Sequence, residues 1–283
     1  MRYTKYFRPI NAVNAMVLSQ PTQLPLPPAT ELWSDEPPLE SDRHLLQILL
    51  LLASLGWWWR DCPDAPSGGR HDFFMAGNLT LYFNPNQLKT QDFRGPDFFV
   101  VLDTDDRERK SWVVWEEGYK FPNVIIELLS KSTAKVDRED KKKIYQNTFK
   151  TPEYFWFHPY SFEFQGFRLD PNTGTYQAIA KTDRGWYWSK QLQLYLGIEA
   201  KKLRFFTSAG ELVPAPAEAA IAERQRAEAA YLQLQQAEAR ARAEQQRAEQ
   251  AETREARERQ RAEQLLAQLH ALGIQPNLDE KLE

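Results

Sequence analysis

The chain has a single cysteine, Cys62, among 283 residues. That excludes an internal disulfide framework and points to a reducing compartment, read here as the cytoplasm. Alone, with no other catalytic signature, Cys62 reads as inert. Histidine is scarce and scattered, at 44, 71, 158 and 270, with no metal-ligand spacing. His44 at a helix start and His158 at a strand end read as structural. No Gly-x-Ser-x-Gly elbow is present, which argues against a serine hydrolase. Ser67-Gly-Gly is a loop and not a phosphate cradle. No apolar run can span a bilayer: the strongest, Leu45 to Trp59, contains Gln47 and is about 15 residues long. The start, Met-Arg-Tyr-Thr-Lys-Tyr-Phe, lacks the apolar stretch of a secretory signal. Basic excess is also missing. Lys and Arg total 36 against 39 Asp and Glu, for a net charge of -3. Beyond Val213 there are 10 basic and 13 acidic residues, which leaves 26 of each before it. No global field marks a nucleic-acid binder, so any such contact must come from local patches.

Aromatic residues are nearly absent from the last quarter. Of the 36, only Tyr231 lies beyond Pro214, so the globular core ends near Val213. About 170 residues then remain after a loose N-terminus, enough to bury a core. Three segments follow: 1–38, a Pro-rich extended or loosely docked arm; 39–213, a globular domain; and 214–283, a C-terminal helix. From Ala217 to Leu272 there is no Pro or Gly, and Ala, Glu, Gln and Arg dominate. A seven-residue period places Ala220, Ala227, Leu234, Ala241, Ala248, Glu255, Ala262 and Leu269 in one register. Glu223, Ala230, Ala237, Glu244, Ala251, Glu258, Leu265 and Leu272 fall three residues on. This resembles a coiled-coil seam with weak, mostly alanine knobs. The alternative is a solvated single helix held by i,i+4 charge pairs. Self-association or capture of a protein partner through this helix is expected, and no membrane contact.

Within the domain, Ser41 or Asp42 caps a helix through about Leu55, ended by Gly56 and buried on nearly every side by its leucines. Strands are expected at Leu79–Phe83, Asp97–Leu102, Asn123–Leu129, Tyr154–Phe157 and Phe162–Leu169. Asp170-Pro-Asn-Thr-Gly turns the last of these back onto Thr175–Ala180, and Trp186–Trp188 adds a short strand. A helix opening at Ser132, Thr133 or Asp137 runs to about Phe149. The sum is an α/β (α+β) layout: a mixed sheet flanked by helices.

The chemistry lies between Gly95 and Tyr145. Two strand-like apolar runs each carry one acid, Asp97 and Glu127. An acid in an apolar run is costly unless compensated, and a basic helix follows. Asp97 and Glu127 are hard oxygen donors of the kind Mg²⁺ takes, and the Leu128 carbonyl could add a third ligand at the same strand end. Lys141 lies four residues after Asp137, on one helix face. From there it could reach a phosphate or an attacking water, as metal-assisted phosphodiester hydrolysis requires. The bland alternative is a structural ion pair between Glu127 and Lys141. Tyr145 reads as packing, and Ser130, Ser132 and Thr133 as turn-shaping.

The pattern Pro-Asp … Glu-x-x-Ser-x-Ser-Thr … Asp-x-x-x-Lys-x-x-x-Tyr … Pro-Glu-Tyr-Phe-Trp resembles a bacterial restriction-endonuclease family of the PD-(D/E)XK nuclease superfamily. The resemblance spans roughly Leu45 to Ile198. It implies a restriction-endonuclease-like fold and a Mg²⁺-dependent endonuclease acting on DNA, with Mn²⁺ able to substitute. Nucleases of this kind commonly act as dimers. The motif acids fall on Asp97 and Glu127, and the motif's third position on Leu129, which is not lysine. The lysine function then moves to Lys141. A first-helix acid that helps bind metal falls on Glu40 or Asp42. His158-Pro159 stands where the family has Asp-Pro, and Lys131 where it often has proline.

Overall fold

The computed structural model describes residues 32–34, 36, 39, 41–62, 69–84, 95–130 and 137–273. The chain divides into two compact units at Val213/Pro214. The first is a mixed α+β unit built on a six-stranded sheet, the architecture of the restriction-endonuclease-like fold. The sheet runs in the order β1 (Phe73–Gly77), β3 (Phe98–Leu102), β5 (Val124–Leu128), β6 (Glu153–Phe157), β7 (Phe164–Leu169), β8 (Tyr176–Ala178). Every neighbouring pair is antiparallel except β5–β6. That parallel pair needs a crossover, and the helical segment 137–149 lies within it. Both central strands are buried at every position, as expected for strands covered on two faces. A parallel two-stranded ribbon, β2 (Leu81–Tyr82) with β4 (Trp112–Val113), and an antiparallel three-stranded sheet, β9 (Tyr187–Ser189), β10 (Leu194–Glu199) and β11 (Lys202–Phe206), complete the unit.

Strand alternation sends side chains to two separate cores. Phe98, Val100, Val124, Ile126, Leu128, Phe155 and Phe157 face helix α1 (Asp42–Arg60) and the three-stranded sheet. Phe99, Val101, Ile125, Leu129, Tyr154 and Trp156 face Tyr145 and Phe149 of the crossover and Trp112. β1, β4, β10 and β11 were not expected from the sequence. Met75 and Gly77 in β1, and Gly197 in β10, blur the period-2 signal.

α1 differs from expectation in two ways. It runs through Gly56 to Arg60, because Gly56 is a packing position and not a cap: a Cβ there would lie 2.7 Å from Met75 Cε. It is also buried on one face only, by Gln47, Ile48, Leu51, Leu55 and Trp59, while Leu45, Leu46 and Leu49 are exposed. Gly77 meets this helix closely, and a Cβ there would lie 2.2 Å from Ile48 Cγ2. Gly77→Ala should therefore lower stability by about 1–3 kcal/mol through overpacking. Chemical denaturation checks this; an unchanged midpoint would contradict the packing.

Residues of the Pro-rich segment are tied to the ribbon. Ser34 N donates to the Lys110 carbonyl at 2.9 Å, Tyr82 OH to the Trp33 carbonyl at 2.9 Å, and Ser111 Oγ to the Leu32 carbonyl at 2.6 Å. The second unit contains helix α3 (Pro216–Ala271), which has no buried residue. Its exposed i,i+4 pairs include Arg224–Glu228 at 2.9 Å and Arg254–Glu258 at 3.1 Å. Among the described residues, no helix is long and apolar enough to cross a membrane.

Candidate active site

The register of β3 on β5 explains why the two acids meet. Phe98 pairs with Ile126, so one step outward places Asp97 across from Glu127. Both then share the face of Phe99 and Ile125. Cross-strand neighbours have Cβ atoms about 5 Å apart, which sets the two carboxyl groups side by side. The geometry is closed further by backbone contacts. Asp97 Oδ2 accepts the Leu128 N–H at 2.7 Å, and the Asp97 N–H donates to Glu127 Oε2 at 3.4 Å.

The crossover supplies the other half. It opens with a π turn (Asp137–Lys141), passes through a short α-helix, α2 (Lys142–Ile144), and closes with a second π turn (Tyr145–Phe149). Such widened turns recur at functional sites. Lys141 Nζ lies 3.1 Å from both Glu127 oxygens, and Tyr145 OH donates to Glu127 Oε1 at 2.6 Å. Tyr145 is therefore more than packing. Its hydroxyl is fully buried, and a buried phenol needs a partner. Its place four residues after Lys141, on the face turned to Glu127, was the available signal.

The other lysines of the run point elsewhere. Lys142 Nζ sits 3.4 Å over the Phe167 ring, and burial lowers its pKa. Exposed Lys143 pairs with Asp140 at 3.8 Å.

Burial dominates the electrostatics of Glu127, which has no solvent exposure. Desolvation pushes its pKa up to about 8, and the charge of Asp97 adds to this, while the Lys141 ammonium and the Tyr145 hydroxyl oppose it. Two carboxyls face one ammonium, so full ionisation leaves one negative charge uncompensated. Either a shared proton or a cation must balance it.

The oxygen-only donor set, its excess negative charge and its place at a strand end fit a divalent cation such as Mg²⁺, which commonly takes one or two carboxylates plus water. Among the described residues no group of three His, Cys, Asp or Glu could hold a metal, so the pair would act without a third acid. Glu40 lies outside the described residues, as do Ser132, Thr133 and Lys131. Asp42 is exposed in the first turn of α1. Leu129 is fully buried in the core. His44 Nδ1 meets Ser41 Oγ at 2.8 Å, and His158 Nδ1 accepts from Tyr160 N and Ser161 N at 3.2 Å each. His158 is tied up in a local turn, while His44 is buried in the first turn of α1 and its Nε2 has no hydrogen-bond partner among the described residues.

The family model Uma2, described as "Putative restriction endonuclease", matches residues 28–204. The chain belongs to the Uma2 family. The Uma2 span holds Asp97, Glu127, Lys141 and Tyr145 and stops before α3. No curated protein matches the chain. Across the β5–β6 ladder Glu127 pairs with Trp156, and the Arg138 guanidinium lies 4.9 Å over that ring. Sequence reasoning missed this pair, because only the β5–β6 register brings it beside the acids.

Proposed function

We propose that this Uma2 chain is a divalent-metal-dependent endonuclease that hydrolyses DNA phosphodiester bonds. The observation that carries the reading is the Asp97–Glu127 pair, set side by side by the β3–β5 register and the Asp97 N–H to Glu127 Oε2 contact, with Lys141 in contact with both Glu127 oxygens. Asp97 and Glu127 would hold Mg²⁺ or Mn²⁺, with the Leu128 carbonyl at the same strand end. When bound, such an ion neutralises a nonbridging phosphate oxygen and lowers the pKa of its water. Lys141 favours the ionised form of Glu127 against its burial and brings a cation to the place where phosphate charge develops. Tyr145 fixes the Glu127 carboxylate in one orientation. Asp42, exposed in the first turn of α1 on the opposite face of the sheet, takes no part in this centre.

The test is cleavage of supercoiled plasmid with Mg²⁺ or Mn²⁺, with and without EDTA. Metal-dependent cutting that EDTA stops is expected. No cutting by folded protein on supercoiled, linear or single-stranded DNA would overturn the reading. It would favour a binding protein on the same fold, in which the Glu127–Lys141 pair is structural. What favours that second reading is that Lys141 and Tyr145 already engage the Glu127 carboxylate.

A role for α3 in self-association belongs to the same proposal. Leu234 and Leu265 lie on the two registers and are exposed, at 57% and 53%. Full-length protein should sediment as a dimer, and Leu234→Lys with Leu265→Lys should return it to monomer. A monomeric wild type would remove the seam.

A further inference from the structure

We propose that a cavity between the first turn of α1 and the β10–β11 turn binds a phosphodiester group of a nucleic-acid strand, apart from the Asp97–Glu127 centre. The inference rests on the nuclease reading. The cavity has a volume of about 360 Å³, and Arg43, Lys201 and Lys202 line it with Asp42 and Pro159. The globular unit has no net charge to attract a polyanion, so a local excess carries weight.

These three cations form no ion pair among the described residues. By contrast Arg60, Arg70, Arg107, Arg109, Arg138 and Arg168 each face an acid. Asp42 offsets one of the three charges, and the positive end of a 19-residue helix adds to the remainder.

The walls are fixed before any ligand arrives. Gln47 joins α1 to β11 through both backbone groups of Leu203: its Nε2 donates to the carbonyl at 2.9 Å, and its Oε1 accepts the N–H at 3.0 Å. Arg43 Nη1 donates to the Pro159 carbonyl at 3.1 Å, and the guanidinium lies 4.4 Å over the Tyr160 ring. The opposite wall is a two-residue turn between paired Glu199 and Lys202. Its central residues, Ala200 and Lys201, have φ of 46° and 64°. Such turns normally employ Asn-Gly, and two adjacent non-glycine residues in this region persist only where their surroundings hold them.

Placement links the cavity to the acids. β5 and β6 end level, since Leu128 pairs with Phe157 and Leu129 N donates to the Phe157 carbonyl at 2.7 Å. Pro159 follows directly. The cavity and the acid pair therefore lie at one end of the sheet, on its two faces. A strand passing over that end would meet both.

The test is binding of a labelled 20-bp duplex to full-length protein, read by anisotropy in EDTA across a salt series. Lys201→Ala with Lys202→Ala should weaken binding roughly tenfold or more at low salt. It should also reduce the slope of log K against log salt by about 1.8, the value for two phosphate contacts, with unchanged thermal stability. Arg43→Ala should act in the same direction. Wild-type affinity and slope in the double variant would overturn the proposal, as would a wild type that binds no duplex. A thermal shift of wild type alone by inorganic phosphate, with equal duplex binding, would mark a free-phosphate site and overturn it too. The nuclease reading fails separately, if Glu127→Gln cuts plasmid as the wild type does.

Discussion

Glu127→Gln is expected to reduce metal-dependent plasmid cleavage by at least about 10²–10³-fold while leaving duplex binding in EDTA near wild type. The magnitude is that of removing one group that stabilises transition-state charge, and it is a lower bound if metal is lost outright. Glutamine keeps the volume and one acceptor for Tyr145 OH, so the fold should hold. What disappears is a negative charge beside Asp97, and with it half of the donor set. Plasmid nicking at saturating Mn²⁺ separates weakened metal affinity from lost chemistry. Recovery at high Mn²⁺ assigns Glu127 to binding, and no recovery assigns it to the reaction. Unchanged cutting in Mg²⁺ would remove Glu127 from the mechanism.

The second large effect concerns stability. Lys141→Met should cost about 3–5 kcal/mol at alkaline pH, because deleting one partner of a buried ion pair strands the other. The cost should shrink as pH falls. Glu127 has a folded pKa of about 8, against 4.5 ordinarily, with desolvation as the main cause. Below pH 4.5 both folded and unfolded chains hold the proton, and its stabilising contribution is fully present. Between 4.5 and 8 the unfolded chain has released a proton that the folded chain keeps. Stability of metal-free protein then declines by at most about 1.4 kcal/mol per pH unit. Above 8 the loss is complete. Without Lys141 the folded pKa rises further, and the decline extends to higher pH. Guanidinium unfolding in EDTA from pH 6 to 9 reads this directly; a difference between variant and wild type that is constant in pH would contradict it.

Much of the site was legible because its residues break a local rule. Glu127 interrupts Val124–Leu128, a strand otherwise wholly apolar, and only a compensating partner makes that tolerable. Lys141 followed from helix spacing. Tyr145 was missed because an apolar-looking ring on a helix face is ordinary core, and its hydroxyl partner comes from a strand 18 residues away. The central strands were legible because β3 is wholly apolar and β5 and β6 are apolar apart from one glutamate each, Glu127 and Glu153.

The length of α1 was not. Gly56 carries the local signature of a stop, yet the space it leaves accommodates Met75 from β1, and tertiary packing overrides propensity. Nor was the solvent exposure of Leu45, Leu46 and Leu49, since burial of a leucine depends on what lies opposite. The charge balance gave no hint of the cavity cations. Arg43 and Lys201–Lys202 are far apart in sequence and meet where α1 packs on β11, through the shared core and the Gln47–Leu203 bonds.

The contacts that assemble the acid centre are close in sequence. Lys141 and Tyr145 reach Glu127 across 14 and 18 residues, and Asp97 reaches the end of β5 across 30 and 31. Closing loops of this size differs in entropy by under about 1 kcal/mol, because the penalty grows only with the logarithm of length. Gln47 and Leu203, by comparison, are separated by 156 residues. Loop closure by itself therefore costs less for the contacts of the β3–β5–crossover segment than for the one that draws α1 onto β11.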